Sequence, residues 1–194
     1  MSESANAGGE GLTGVVLAGG AGTRLGAPKA TVLLAGRPLI DYPLRALRAV
    51  CERVVVAAKR ETELPPGVER WDEPDDPRHP IAGITHALRR AGRPIVVCAA
   101  DMPFVTPGVL GLIAAELRPG LKAAAAFCAG RLEPLLAAYA PEALEVLSEG
   151  APDEPLRRTV ESLMPVLVDV APEVVFNVNT PEHLAEAERR LTSG

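Results

Sequence analysis

The sequence is poor in aromatic side chains, which make up only 3% of its residues. RNA-stacking sheets and aromatic cages for cationic ligands depend on such side chains, so we expect neither. The formal net charge is −5, whereas a protein that binds a phosphate backbone needs a basic face. We therefore do not expect nucleic acid as the main partner.

Patterns typical of disulfides, zinc sites and membrane proteins are also missing. The three cysteines share no Cys-x-x-Cys spacing and the three histidines lie far apart, which argues against a disulfide framework and against zinc. No apolar run reaches the length of a membrane span, and residues 1–11 lack the basic and apolar regions of a signal peptide. We expect a cytoplasmic protein without membrane contact, with a disordered tail over residues 1–11 and one domain over residues 12–194.

What the chain does have is apolar sequence, with 47% hydrophobic residues, enough for a sizeable core. Apolar runs within residues 15–18, 53–58 and 94–101 predict buried strands, the second run following Arg53 and the third ending at Asp101, and segments of helical periodicity separate them. Strands that alternate with helices are typical of right-handed crossovers. We therefore predict an α/β fold, a three-layer sandwich with a mostly parallel twisted sheet and helices on both faces.

Local signals set several element boundaries. Asp41 is expected to cap a helix with Leu44, Leu47 and Val50 on its apolar face, and Thr106 is expected to cap another. Gly92 is expected to end the helix predicted over residues 81–90. Residues 123–128 fit either a strand or a helix. Residues 174–179 alternate like a strand, and Thr180-Pro181-Glu182 then opens a last helix with Leu184, Ala187 and Leu191 inward.

The first strand runs directly into a glycine-rich loop that carries two cations, Arg24 and Lys29. Its glycine spacing is one residue too long for a dinucleotide fingerprint, and it lacks the Gly-Lys-Ser/Thr of a Walker loop. The glycines alone fit a tight strand-to-helix turn as well as a phosphate site. The two cations favour a phosphate site, because a packing turn needs neither of them. The residues concerned are Leu17, Ala18, Gly19, Gly20, Gly22, Arg24, Gly26 and Lys29.

Oxygen-bearing side chains follow two other predicted strands. Asp101 ends the apolar run at residues 94–101, which places it at the strand edge where α/β proteins bind ligands. Asn177 and Asn179 precede the last helix. Carboxylate and amide oxygens suit Mg²⁺, which would neutralise a nucleotide's phosphates, although all three side chains also fit ordinary turn or cap positions.

Three motifs narrow this picture. They are Leu-Ala-Gly-Gly at residues 17–20 with Arg24, Gly26 and Lys29, then Asp-Met-Pro-Phe at 101–104, and Phe-Asn-Val-Asn-Thr-Pro-Glu at 176–182. Together they resemble the molybdenum cofactor guanylyltransferase family, whose members are nucleotidyltransferases with a Rossmann-like fold. The resemblance extends from residue 13 to residue 191 and includes weaker matches at Asp72, residues 80–83 and residues 133–136.

The resemblance implies Mg²⁺-dependent transfer of GMP from GTP to molybdenum-bearing molybdopterin, with release of pyrophosphate. It implies transient docking to proteins that handle or receive the cofactor. The catalytic residues would be Arg24, Lys29 and Asp101. The nucleotide-binding residues would be Leu17, Ala18, Gly19, Gly20, Gly22, Lys29, Asp72, Gly83 and Asp101. The metal ligands would be Asp101, Asn177 and Asn179.

Because of two departures from the family pattern, the base of the nucleotide substrate is not decided by the resemblance. Pro28 stands where the family commonly has aspartate, and His79 stands where it commonly has glycine. CMP transfer from CTP to the same cofactor is the alternative reaction, and a non-catalytic nucleotide-binding module of the same fold is a further one. The anionic acceptor would bind in the second half of the chain, where Arg131 and the pair Arg157-Arg158 fit either this site or a solvated surface.

Overall fold

The computed structural model describes residues 11–19, 25, 30–74, 79–150 and 154–192. Within them the chain forms a seven-stranded sheet with helices on both faces, and a separate two-stranded hairpin. The predicted α/β class is therefore confirmed. The predicted tail lies outside the described residues except for Gly11.

The strands and helices follow one another in the order expected for an α/β chain. The strands are β1 (Thr13–Leu17), β2 (Leu33–Leu34), β3 (Arg37–Pro38), β4 (Arg53–Ala58), β5 (Arg70–Asp72), β6 (Ile95–Ala99), β7 (Ala123–Cys128), β8 (Arg131–Tyr139) and β9 (Val166–Asp169). The α-helices are α1 (Asp41–Arg48), α2 (Pro80–Ala91), α3 (Pro107–Glu116), α4 (Leu144–Glu149), α5 (Leu156–Ser162) and α6 (Pro181–Thr192).

The sheet runs in the order β5-β4-β1-β6-β8-β7-β9. Its first four strands are parallel, and β8 is antiparallel to both of its neighbours. Leu17, the last residue of β1, lies opposite Ala57 of β4 and Ala99 of β6. The carboxyl ends of three central strands therefore meet at one edge of the sheet, which positions the candidate site.

Two apolar layers cover the sheet, as expected for strands that are buried on both faces. On one face Leu44 of α1 and Leu110 of α3 pack against the central strands. On the other face residues of α2, α4 and α5 do so, among them Ile84 and Val160. The last helix, α6, instead packs with the β2-β3 hairpin through Ala187.

Predicted caps explain where two helices begin and end. The Thr106 hydroxyl accepts a hydrogen bond from the Val109 N–H at 3.3 Å, so Thr106 caps α3 as expected. Gly92 has φ of 60° and donates its N–H to the Leu88 carbonyl at 3.0 Å, which closes α2 in a left-handed turn that glycine adopts without strain. The ambiguous segment Ala123–Cys128 is a strand, because pairing with β8 and β9 supplies its hydrogen bonds.

Three local predictions are wrong. Residues 174–179 form a turn and irregular chain, because the Val178 N–H donates to the Asp101 carbonyl at 2.9 Å as the segment crosses the sheet edge. Asp41 is the first residue of α1 and does not cap it, since Ile40 occupies the cap position. Leu191 is 36% exposed, because the last turn of α6 extends beyond the hairpin that covers Ala187.

No helix among the described residues has the length and apolar character that a membrane crossing requires.

The cysteines give a direct test of this burial pattern. Cys98 is fully buried and burial raises the pKa of its thiol, while burial raises the pKa of the Cys51 thiol to about 12. Cys128 at the end of β7 is only partly buried.

We expect Ellman's reagent at pH 8 to modify one thiol, that of Cys128, rapidly in the native protein and all three thiols in urea, because the thiolate is the reacting form. A Cys128→Ser variant should lose the rapid phase, and rapid reaction of a second thiol in that variant would contradict the fold.

Candidate active site

A cavity of about 330 Å³ opens where β1, β4, β5 and β6 end. This volume is within the range of small-molecule sites, about 300–1,000 Å³. Both polar and apolar residues line its wall. They include Gly19, Lys59, Glu73, His79, Asp101 and Leu135.

The start of the glycine loop forms one wall of the cavity. The Ala18 N–H donates to the Ala57 carbonyl at 2.9 Å and the Ala100 N–H donates to the Leu17 carbonyl at 3.1 Å, so the sheet ladder continues to the point where the loop begins. Leu17, Ala18 and Gly19 all line the cavity. Five further predicted loop residues lie outside the described residues. They are Gly20, Gly22, Arg24, Gly26 and Lys29.

A buried ion pair lies on the β4-β5 side of the cavity. Lys59 Nζ is 3.8 Å from Glu73 Oε2, and both side chains are less than a tenth exposed. Lys59 also donates a hydrogen bond to the Pro74 carbonyl. Burial raises the pKa of the Glu73 carboxyl, and the nearby ammonium of Lys59 lowers it. The pair thus places one carboxylate and one ammonium together where little water reaches them.

Helix α2 begins against this ion pair. His79 is its cap, since Nδ1 accepts a hydrogen bond from the Ile81 N–H at 3.3 Å. A Cβ atom added to Gly83 would lie 2.5 Å from Glu73 Oε1, and one added to Gly19 would lie 3.4 Å from Oε2. The two glycines therefore leave the space that the carboxylate occupies.

Asp72, which the family resemblance assigns to the nucleotide pocket, points elsewhere. Its side chain is 44% exposed, and Oδ2 lies 3.7 Å from Arg60 Nε. Within the described part of the chain, the wall of the cavity includes Glu73 and not Asp72. Adjacent residues at the end of a strand face opposite sides, which accounts for this difference.

A second carboxylate accompanies Asp101. Glu133 on β8 lies close enough to Asp101 for their charges to interact, and its Oε1 accepts a hydrogen bond from the Leu135 N–H at 3.4 Å. Burial raises the pKa of the Glu133 carboxyl; the bond from Leu135 opposes this, and the charge of Asp101 adds to it. Two like charges at a partly buried site favour a proton or a cation between them.

The asparagine segment crosses the sheet edge beside Asp101. Its Val178 N–H bonds to the Asp101 carbonyl, which holds half-buried Asn177 and Asn179 on either side of that contact. The Asn177 amide nitrogen donates to the Val175 carbonyl at 3.0 Å. In the described structure neither asparagine is a wall residue of the cavity, so the structure brings them near Asp101 without placing them in the cavity.

A second cavity, of about 610 Å³, adjoins the β7-β8 turn. Arg131, Glu133 and Arg157 line it, together with the partly buried Cys128. Arg158 is exposed and is not one of its wall residues in the described structure. Two of the three arginines considered for an anionic acceptor thus face the same cavity.

Lys59, Glu73 and Glu133 were not predicted as site residues. Lys59 directly follows an apolar strand, as does Asp101, so the strand-end argument applied to Asp101 identifies it as well. The low lysine content of the chain adds to this signal. Glu73 and Glu133 carry no comparable signal, because β5 has only three residues and Glu133 lies within its strand.

Residues 14–170 match the family model described as the MobA-like NTP transferase domain. A probable molybdenum cofactor guanylyltransferase from Deinococcus radiodurans is 34% identical over 186 residues, which cover 92% of this chain and 95% of that protein. Another probable molybdenum cofactor guanylyltransferase, from Thermococcus gammatolerans, is 32% identical over 92% of this chain and 100% of its own length. The solved structure of molybdopterin-guanine dinucleotide biosynthesis protein A from Archaeoglobus fulgidus has a TM-score of 0.79 and 29% identity over 94% of this chain and 100% of that one.

The ion pair of Lys59 and Glu73 predicts a strong energetic coupling. Lys59→Met leaves a buried carboxylate and Glu73→Met leaves a buried ammonium, so each should lower the free energy of unfolding by about 3 kcal/mol. The double variant should lose less than either single variant, because it buries no charge. Urea unfolding at pH 7 of the wild type, the two single variants and the double variant measures the four free energies of unfolding.

The exposed pair Arg93 and Glu52 is the matched control, and its loss should cost less than about 1 kcal/mol. In Lys59→Met the Glu73 carboxyl loses the cation that lowers its pKa, so the folded state holds the proton more tightly than the unfolded state does. Its stability should therefore fall as the pH rises through the range between the two pKa values. Additive costs for the buried pair would contradict the coupling.

Proposed function

This chain belongs to the molybdenum cofactor guanylyltransferase family of MobA-like NTP transferases, and on that premise we propose that it transfers GMP from GTP to molybdenum-bearing molybdopterin. It is a nucleotidyltransferase enzyme. In the proposed reaction an oxygen of the acceptor's terminal phosphate bonds to the α-phosphorus of GTP. The bond from that phosphorus to the bridging oxygen breaks, and pyrophosphate leaves with the electron pair.

The observation that carries the proposal is the shared cavity of Gly19 and Asp101. It joins the start of the loop that we predict to bind phosphate to a strand-end carboxylate, as a nucleotide with a bound cation requires. The second pKa of a phosphate monoester is about 6, so the acceptor is largely ionised at neutral pH and needs no general base. Catalysis then consists of positioning two anions and stabilising the leaving group. We assign the cations Arg24 and Lys29 to that task from their place in the loop sequence.

The side chains at the cavity fit Mg²⁺ bound jointly by protein and phosphates. The described residues contain no group of three or more acidic, histidine or cysteine side chains able to hold a metal alone. Mg²⁺ in nucleotide sites commonly takes one or two carboxylates and completes its coordination with phosphate oxygens and water. Asp101 and its neighbour Glu133 supply such oxygens, with Asn177 and Asn179 as proposed further ligands. When bound, the ion would neutralise charge on the phosphates of GTP.

We place the acceptor in the second cavity. Arg131 and Arg157 give it positive charge, as an anionic pterin phosphate requires. Glu133 and Pro134 line this cavity and Leu135 lines the first one, so consecutive residues of β8 connect the two cavities. An acceptor held there would present its phosphate near the proposed metal site.

One turnover assay tests the proposal. GTP, CTP and ATP are each supplied with Mg²⁺ and molybdenum-bearing molybdopterin, and pyrophosphate and the dinucleotide product are measured. We expect product from GTP and none when Mg²⁺ is omitted. Preferred use of CTP would instead indicate CMP transfer to the same cofactor. Nucleotide binding without turnover would indicate a non-catalytic module.

Asp101→Ala should lower pyrophosphate release by about 100-fold or more, because it removes the strand-end carboxylate from the reacting phosphates. Asp169→Ala is the matched control, since Asp169 is exposed on the edge strand β9. It should retain full activity. Circular dichroism and thermal unfolding establish that both variants fold. Undiminished turnover by folded Asp101→Ala would contradict the assigned role.

A further inference from the structure

We propose that Glu73 selects guanine, by accepting hydrogen bonds from N1–H and the 2-amino group of the base. Lys59 lies beside it to donate to O6. The inference rests on the proposed function, which takes GTP as the nucleotide. The inference assigns the selection of the nucleotide base to Glu73. It does not assign this selection to Asp72 or to the described loop residues Leu17, Ala18 and Gly19.

The first step is the position of the carboxylate. Glu73 follows β5, and its N–H donates to the Ala58 carbonyl at 2.9 Å, so the backbone is fixed at the end of the sheet. Its side chain is 6% exposed and borders the same cavity as Gly19 and Asp101. A charge buried at a cavity wall is costly unless polar groups satisfy it. The Lys59 ammonium lies 3.8 Å from one carboxylate oxygen, Oε2, and a carboxylate has about four acceptor sites, so capacity remains to accept hydrogen bonds from a ligand.

The second step is that the surrounding chain leaves space for this carboxylate at the cavity wall. Gly83 on α2 and Gly19 in the loop flank its two oxygens, and any side chain at Gly83 would collide with Oε1. Lys59 is itself anchored to the Pro74 carbonyl. Apolar residues Leu17 and Pro80 complete this side of the cavity and suit the face of a planar base. A hydrogen-bond acceptor thus lies beside an anchored donor.

The third step is complementarity to one base. Guanine presents an acceptor, O6, followed by two adjacent donors, N1–H and the 2-amino group, and a carboxylate can accept from both donors at once. Cytosine presents one donor followed by two acceptors, and adenine places the N1 acceptor beside its amino group. The lone pairs of those acceptors would repel the carboxylate. A buried charged acceptor therefore favours guanine over both.

Calorimetric titration of the whole chain with GTP, ITP, XTP and CTP in Mg²⁺ tests the inference without the acceptor. The wild type should bind GTP about 10- to 100-fold more tightly than ITP, which lacks the 2-amino group, because a hydrogen bond to a charged group is lost. In Glu73→Gln the preference for GTP over ITP should disappear. Affinity for XTP should rise, because the new amide N–H can donate to the 2-oxo group. The control Glu69→Gln removes an exposed carboxylate just before β5. It should change neither the preference for GTP over ITP nor the affinity for XTP.

Gly83→Ala gives a second test that leaves the charge intact. The added Cβ should displace the carboxylate and lower both GTP affinity and the preference over ITP, with no gain for XTP. Gly111→Ala on α3 is its control, because a Cβ there meets nothing within 4 Å. This test decides the matter if Glu73→Gln does not fold.

The outcomes separate this inference from the proposed function. If the wild-type protein prefers CTP, both the proposed GMP transfer and the guanine-selecting role of Glu73 are wrong. A wild type that converts GTP, while folded Glu73→Gln keeps the preference for GTP over ITP, overturns this inference alone. Loss of that preference together with a gain for XTP supports it, because a merely structural role for Glu73 would not exchange one base for another.

Discussion

The parallel register of β1 with β4 and β6 brings three strand ends to one line, since Leu17 lies opposite both Ala57 and Ala99. Each strand is buried on both faces, so its polar residues are displaced to the point where it ends. Gly19, Lys59 and Asp101 follow those three ends. A shift of one residue in either pairing would turn a candidate site residue toward the opposite face of the sheet. The site is therefore a consequence of the register.

The cavity divides into two electrostatically different halves. On the β4-β5 side the carboxylate of Glu73 has a cation beside it, and this half is compatible with neutral ligand groups that donate hydrogen bonds. On the β6-β8 side Asp101 lines the cavity, and the charge of Glu133 in the adjacent second cavity interacts with it unfavourably, so this half favours a cation. A nucleotide has the same division, because its base is neutral and its phosphates bind metal. This match between the halves of the cavity and the parts of a nucleotide links the guanine-selecting role proposed for Glu73 to the metal role proposed for Asp101.

Features set by local chemistry were predictable from the sequence, and features set by pairing were not. Thr106 caps α3 and Gly92 ends α2 as expected, because the cap depends on a few adjacent residues. Asp101 was predictable because a long apolar run identifies its strand. Residues 174–179 alternate as a strand does, yet Val178 bonds to a carbonyl beyond the end of β6, and no local pattern specifies that partner. In the three-residue strand β5 no periodicity tells whether Asp72 or Glu73 faces the cavity.

The antiparallel strand β8 explains how a mid-strand residue reaches the site. A parallel strand could supply side chains to this edge only at its carboxyl end, whereas β8 runs the other way and brings its amino-terminal half there. The pairing with β7 shifts between Ala125 and Ala126, so that Ala126 lies opposite Glu133 while Ala125 lies opposite Ala137. This bulge bends the strand and redirects the side chains around it. Because Glu133 and Pro134 line the second cavity and Leu135 lines the first, the reversal of strand direction next to β6 places consecutive residues of β8 in the walls of both cavities.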